Sequence, residues 1–171
     1  MLIMAKDKDI MIYVHGTKVD FANGVSLAAE VDHFSGRDFV SIAFSWPSHQ
    51  NIFSYLIGID KHRAIDSAPG LAQLIRILSE HTHAEKINIL SYSAGGRVAS
   101  RALVALADGK TGEALKLLAR RYRIGSVVFA AADVEENLFL KRIEAISGLS
   151  ERAVITVADK DKALIFAQKL M

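Results

Sequence analysis

The chain has no cysteine and only two prolines among its 171 residues. Without cysteine there can be no disulfide, thiolate metal site or cysteine nucleophile, although the compartment stays open. Charge of one sign is equally scarce: 21 Lys and Arg against 19 Asp and Glu leave a formal net charge of +2. So small an excess gives no electrostatic reason to expect a nucleic-acid partner. Arg120, Arg121 and Arg123 are the one basic cluster, and they read as a solvated helix end. The first residues, Met1 to Asp9, run into Lys and Asp at once. They do not resemble a secretory leader, and no apolar run is long enough to span a bilayer. A cytoplasmic protein with no membrane partner is therefore expected. About half of the residues are hydrophobic, which suits one globular domain over residues 1–171 with a sizeable core.

Short β-branched and aliphatic runs alternate with longer segments of helical period, the pattern of an α/β domain with a parallel sheet. Five strands are predicted: Ile10 to Val14, Phe39 to Ser45, Ile87 to Leu90, Ser126 to Ala131 and Ala153 to Val157. Each is apolar almost throughout, as strands covered on both faces should be. Between the second and third strands, Leu71, Leu74, Ile75 and Leu78 recur at helical spacing on a helix expected to begin near Pro69. A further helix opens at Gly95 and runs through Val98, Ala102, Leu103 and Leu106 to a break at Asp108-Gly109, and another covers Gly112 to Arg121.

In open α/β sheets chemistry gathers outside the carboxyl ends of the strands. The third strand ends in Leu90-Ser91-Tyr92-Ser93-Ala94-Gly95-Gly96 and passes straight into an alanine-rich helix. Such a strand, turn and helix hold the hydroxyl of Ser93 clear of both flanking elements. Strand and helix nearly touch at such a turn, so the residues two before and two after must be small. Here they are Ser91 and Gly95, where the commoner pattern has glycine at both. The other strand ends carry Tyr13-Val14-His15-Gly16-Thr17, Ser45-Trp46-Pro47-Ser48, Ala132-Asp133 and Asp159-Lys160-Asp161.

These segments, with Tyr55, Asp60 and Asp161-Lys162-Ala163-Leu164, resemble the serine-nucleophile α/β-hydrolase superfamily of esterases and lipases. Within it they are similar to an uncharacterised bacterial branch marked by Ser-Trp-Pro-Ser. The resemblance covers almost the whole chain in the family's order. It implies a three-layer α/β/α domain whose mostly parallel five-stranded sheet has the order 2-1-3-4-5. It also implies that this chain is the middle of that fold, without the usual leading strands and without the closing strand and its histidine segment. The fifth strand would then be an exposed edge, favouring self-association there or through a last helix, Lys162 to Leu170.

The activity implied is hydrolysis of a short-chain carboxylic ester through an acyl-enzyme at Ser93, with no cofactor. A serine hydroxyl needs a base to take its proton and a carboxylate to orient that base. The resemblance assigns the oxyanion-hole amides to Thr17 and Ala94 and the acid to Asp161, with Asp133 and Asp159 as alternatives. It gives His15 the task of holding the turn. The six histidines, His15, His33, His49, His62, His81 and His83, all precede Ser93, whereas the family's base follows the acid. His49, on a loop at the active edge, is the one candidate substitute, though it reads more simply as a loop residue. His49 to Ala68 is the longest segment able to cover an acyl chain; with Ile52, Phe53, Tyr55, Leu56 and Ile57 it is apolar enough to line an acyl pocket and equally consistent with a helix packed on the core.

Two other classes fit less well. A catalytically impaired relative would keep the scaffold as a binding domain. A phosphate-cradling flavodoxin-like module would use Ser91 to Gly96, but the Gly-x-x-x-x-Gly-Lys pattern is missing. His81-x-His83 does not have the spacing of a metal site beside a carboxylate.

Overall fold

Ile10, Ile12 and Val14 point to one face of the first strand and are fully buried, and the whole sheet is laid out around that strand. In the computed structural model, which describes residues 8–49 and 59–156, the elements run β1 (Asp9–Val14), α1 (Phe21–Phe34), β2 (Phe39–Phe44), α2 (Ile59–His81), β3 (Ile87–Tyr92), α3 (Gly95–Ala107), α4 (Gly112–Tyr122), β4 (Ile124–Ala130), α5 (Glu136–Leu140), α6 (Ile143–Leu149) and β5 (Ser150–Ile155). The five strands are all parallel, in the order β2-β1-β3-β4-β5. The α/β class and the strand order are those expected.

The chain moves outward from β1 to β2, then crosses back over β1 to build β3, β4 and β5 on the other side. With right-handed crossovers, that reversal puts α1 on one face and the later helices on the opposite face. Accordingly α1 packs on β1 and β2, whereas α2, α3, α4 and α6 pack on one another. Ile87, Ile89, Val127 and Phe129 meet Ala68, Leu71, Ile75 and Leu78 of α2 and Val98, Ala102, Leu103 and Leu106 of α3 in one buried cluster.

Several boundaries differ from expectation for physical reasons. Pro69 does not open the second helix; it lies inside α2, which starts at Ile59. Pro69 is exposed, so the carbonyl four residues earlier, deprived of its donor, can turn to water. β4 begins two residues before the expected Ser126, because Asn88 bridges the sheet. Its Oδ1 accepts from the Ser126 amide at 2.8 Å and its Nδ2 donates to Asp9 Oδ2 at 3.0 Å. Gly125, outside the strand expected to begin at Ser126, is required inside it, since a Cβ would fall 2.6 Å from Asn88 Oδ1. β5 starts at Ser150 because it is an edge strand, and its first residues are polar. Glu151 pairs with Lys86, and Arg152 donates to Ser126 Oγ at 3.1 Å. Of the two edges, β2 is less covered than its apolar sequence suggests, being half-buried throughout, while β5 is the partly exposed edge expected. The basic cluster is absorbed locally, Arg121 pairing with Glu80 and Arg123 donating to the Ala84 and Thr82 carbonyls.

Pro69→Ala restores one helical hydrogen bond and removes a steric clash. It is expected to raise the unfolding free energy by about 2 kcal/mol, the interior-proline penalty less the entropy proline removes from the unfolded chain. Urea denaturation with an unchanged or lowered midpoint would contradict it.

Candidate active site

The sheet's order reverses between β1 and β3, and the crevice at their carboxyl ends is where an open α/β sheet binds ligands. Ser93 stands at that point. Its φ is 50°, in the left-handed region that costs a non-glycine residue about 1–2 kcal/mol. Three backbone hydrogen bonds hold it there. The Ser93 amide donates to the Ala130 carbonyl at 3.0 Å, and the Ser93 carbonyl accepts from Gly96 at 2.9 Å and Asp133 at 3.1 Å. The start of α3 is pressed against the end of β1: a Cβ on Gly95 would lie 2.4 Å from the Val14 carbonyl oxygen and 2.6 Å from that of His15. Ser91 is fully buried, and its hydroxyl donates to the Val128 carbonyl at 3.0 Å. A hydroxyl with its own acceptor is how serine is accommodated where glycine is commoner.

The turn after β1 lies directly against this serine, since a Cβ on Gly16 would come 3.1 Å from Ser93 Cβ. Its far side is fastened by Asp60, a buried residue at the start of α2. The Thr17 hydroxyl donates to Asp60 Oδ2 and the His49 amide to Oδ1 at 3.0 Å, while the Lys18 amide donates to the His49 carbonyl at 3.1 Å. One carboxylate thus ties together three chain segments. Among the described residues, neither the Thr17 amide nor the Ala94 amide is taken up by a hydrogen bond, and the Ser93 hydroxyl has no partner.

His15 is buried in the same turn. Nε2 accepts from the Trp46 amide at 3.1 Å, so the ring proton sits on Nδ1, which donates to the Gly16 carbonyl at 2.7 Å. The Trp46 indole donates to the His15 carbonyl at 2.7 Å, and its ring stacks on the imidazole at 5.5 Å and 9°. Burial pushes the imidazole below the usual histidine range, against a smaller opposing effect of its bond to Gly16. With both nitrogens committed, His15 braces the turn and has no free nitrogen to act as a base.

Asp133 is not placed to orient a base. It is buried, and its two oxygens accept from Arg97 Nε and Nη2, both at 2.9 Å. Arg97 lies in the first turn of α3 and the Asp133 amide bonds the Ser93 carbonyl, so the ion pair closes a loop around the serine. Asp159 and Asp161 lie outside the described residues, as do Tyr55, the apolar run Ile52 to Ile57 and the helix Lys162 to Leu170. The described remainder of His49 to Ala68 is no cover for the site, because Ala64 and Ala68 of α2 are in the core. Among the described residues no group of three His, Cys, Asp or Glu could hold a metal, and no helix is long and apolar enough to cross a membrane.

Residues 1–171 match the family described as alpha/beta hydrolase of unknown function (DUF900). The chain belongs to that family. Comparison with curated proteins found no match. Membership supports a hydrolase of unknown specificity, and it agrees with the strand order, the reversal point and the turn at Ser93. Sequence reasoning did not find the roles of Asp60 and Arg97. Arg97 did carry a signal: a charge in a first helical turn otherwise made of Gly95, Gly96, Val98 and Ala99 needs a buried partner.

Gly95→Ala forces the Val14 and His15 carbonyl oxygens away from α3 and is expected to cost at least about 2 kcal/mol, the range of severe backbone and overpacking effects. A chemical denaturation midpoint within error of the parent would refute the close approach. A second expectation concerns pH. Neutral His15 is the folded form, so its contribution is complete above the unfolded value of about 6.5 and is lost as pH falls from there toward the lower folded value. Unfolding free energies between pH 7 and 5 should therefore fall with acid, by up to about 1.4 kcal/mol per unit from this one group. The slope should flatten in His15→Asn; equal slopes in the two proteins would exclude the assignment.

Proposed function

We propose that the protein is a serine carboxylic ester hydrolase acting on short-chain acyl esters. The observation that carries this reading is the left-handed Ser93, whose hydroxyl has no hydrogen-bond partner among the described residues and which is set against a turn whose Thr17 amide is unengaged. Ser93 Oγ attacks the ester carbonyl carbon and passes its proton to a water molecule, and the amides of Thr17 and Ala94 donate to the resulting oxyanion. Collapse breaks the bond to the alcohol, which leaves with a proton. Water then attacks the acyl-enzyme and releases the acid. Removing one oxyanion donor costs about a hundredfold or more, so Asp60, which fastens the Thr17 turn, is a positioning residue in this scheme. Asp161 is the proposed acid.

No imidazole among the six histidines hydrogen-bonds Ser93, and His15 is fully committed. This observation favours a second reading, a catalytically impaired relative that keeps the scaffold for binding. Even without a base, an oxyanion hole and binding leave about a thousandfold over water, so weak activity on activated esters suits the first reading. Self-association through the half-covered β2 or β5 edge belongs to either reading.

The two readings separate on one reagent. Under the enzyme reading a fluorophosphonate labels Ser93, identified by peptide mass, and hydrolysis of p-nitrophenyl acetate disappears in Ser93→Ala. Folded protein that stays unlabelled, with ester hydrolysis equal in parent and Ser93→Ala, removes the enzyme reading.

A further inference from the structure

Arg97, Arg101 and Arg142 gather at α3, and the last two form no ion pair with a described carboxylate. Arg97 is satisfied by Asp133. One turn further along the helix, Arg101 Nη1 donates to the Arg97 carbonyl at 3.4 Å. The Ser100 hydroxyl donates to that same carbonyl at 3.4 Å, and Arg142 Nη1 donates to Ser100 Oγ at 3.0 Å. Arg101 and Arg142 are thereby joined through only two intervening atoms, Arg97 O and Ser100 Oγ. Both are half-buried, and neither forms an ion pair with a described residue.

The nearby carboxylates are already engaged. Asp133 uses both oxygens on Arg97, and Glu135 pairs with Lys61 at 2.8 Å. Among the described residues, four cations therefore share two carboxylates. A guanidinium carries five N–H donors, and each of these two spends one on a described residue. Burial lowers both guanidinium pKa values. For Arg101 the charges of Arg142 and Arg97 act the same way and Glu135 opposes; for Arg142 Glu135 opposes and Arg97 adds to the lowering. Half-buried like charges with unused donors are costly unless an anion joins them.

We propose that Arg101 and Arg142, with Ser100 between them, bind a phosphate-type oxyanion. The planar forks of two arginines match a tetrahedral oxyanion better than lysines would. Arg101 follows Ser93 by eight residues, about 12 Å along a helix axis, so the anion is not the reacting group. The site stands independently of the ester reading.

Calorimetric titration of inorganic phosphate into the full chain at low ionic strength tests this. One saturable site is expected, weakened by about tenfold or more in Arg101→Gln and in Arg142→Gln, the worth of a lost charge-assisted bond, and unchanged in the exposed Arg120→Gln. Should either variant fail to fold, the unaltered protein still reports: phosphate should shield Arg101 and Arg142 from phenylglyoxal, as mapped by peptide mass. Tighter binding of phenyl phosphate than of inorganic phosphate would mark a ligand-borne group, and equal binding the free ion; both support the site. Absence of saturable binding together with absence of shielding overturns it, as does binding that survives both substitutions.

Discussion

The contact between Gly95 and the carbonyl oxygens of Val14 and His15 is the constraint around which the rest of the structure is arranged. With α3 so close to the end of β1, no side chain fits at Gly95. The chain must turn within two residues of β3, and Ser93 is driven into a left-handed conformation. The same closeness lets the Gly16 turn lie on the serine. An isolated peptide would have no reason to adopt this shape. It persists because the Ala130 carbonyl and the Asp133 amide from the next crossover hold both ends of the serine backbone.

Two buried carboxylates complete that framework. Asp60 takes a hydroxyl and an amide from two different loops, and Asp133 takes a guanidinium fork. Desolvating such charges offsets much of what their bonds contribute to stability. Their effect is positional: each ties a loop at the carboxyl edge to the first turn of a helix packed in the core. His15 does the same by a neutral route, donating through one nitrogen, accepting through the other and stacking on Trp46.

Element type was legible because the strands are β-branched runs and α2, α3 and α4 carry apolar stripes, whereas the strand order followed from the family resemblance. What escaped the sequence was everything that depends on a partner far along the chain. Pro69 resembles a helix start because its exposure, which makes an interior proline tolerable, is a tertiary fact. Gly125 falls outside the expected fourth strand because the side chain that needs the space, Asn88, belongs to a different strand. Ser150 to Arg152 looks too polar for a strand because nothing local says that it lies at an edge.

At the site the division is similar. Ser93 and the small residues around it were evident from their order alone, since a sharp strand-to-helix turn is a local demand on residue size. Asp133 read as a possible acid because a strand end carrying aspartate has several uses, and only the fold brought Arg97 to both of its oxygens. The sequence by itself determined the hydrophobic periodicity, and with it the α/β class and the turn that exposes a serine. Only the tertiary structure decided which charged groups are paired, because a buried charge takes its role from whatever the fold sets beside it.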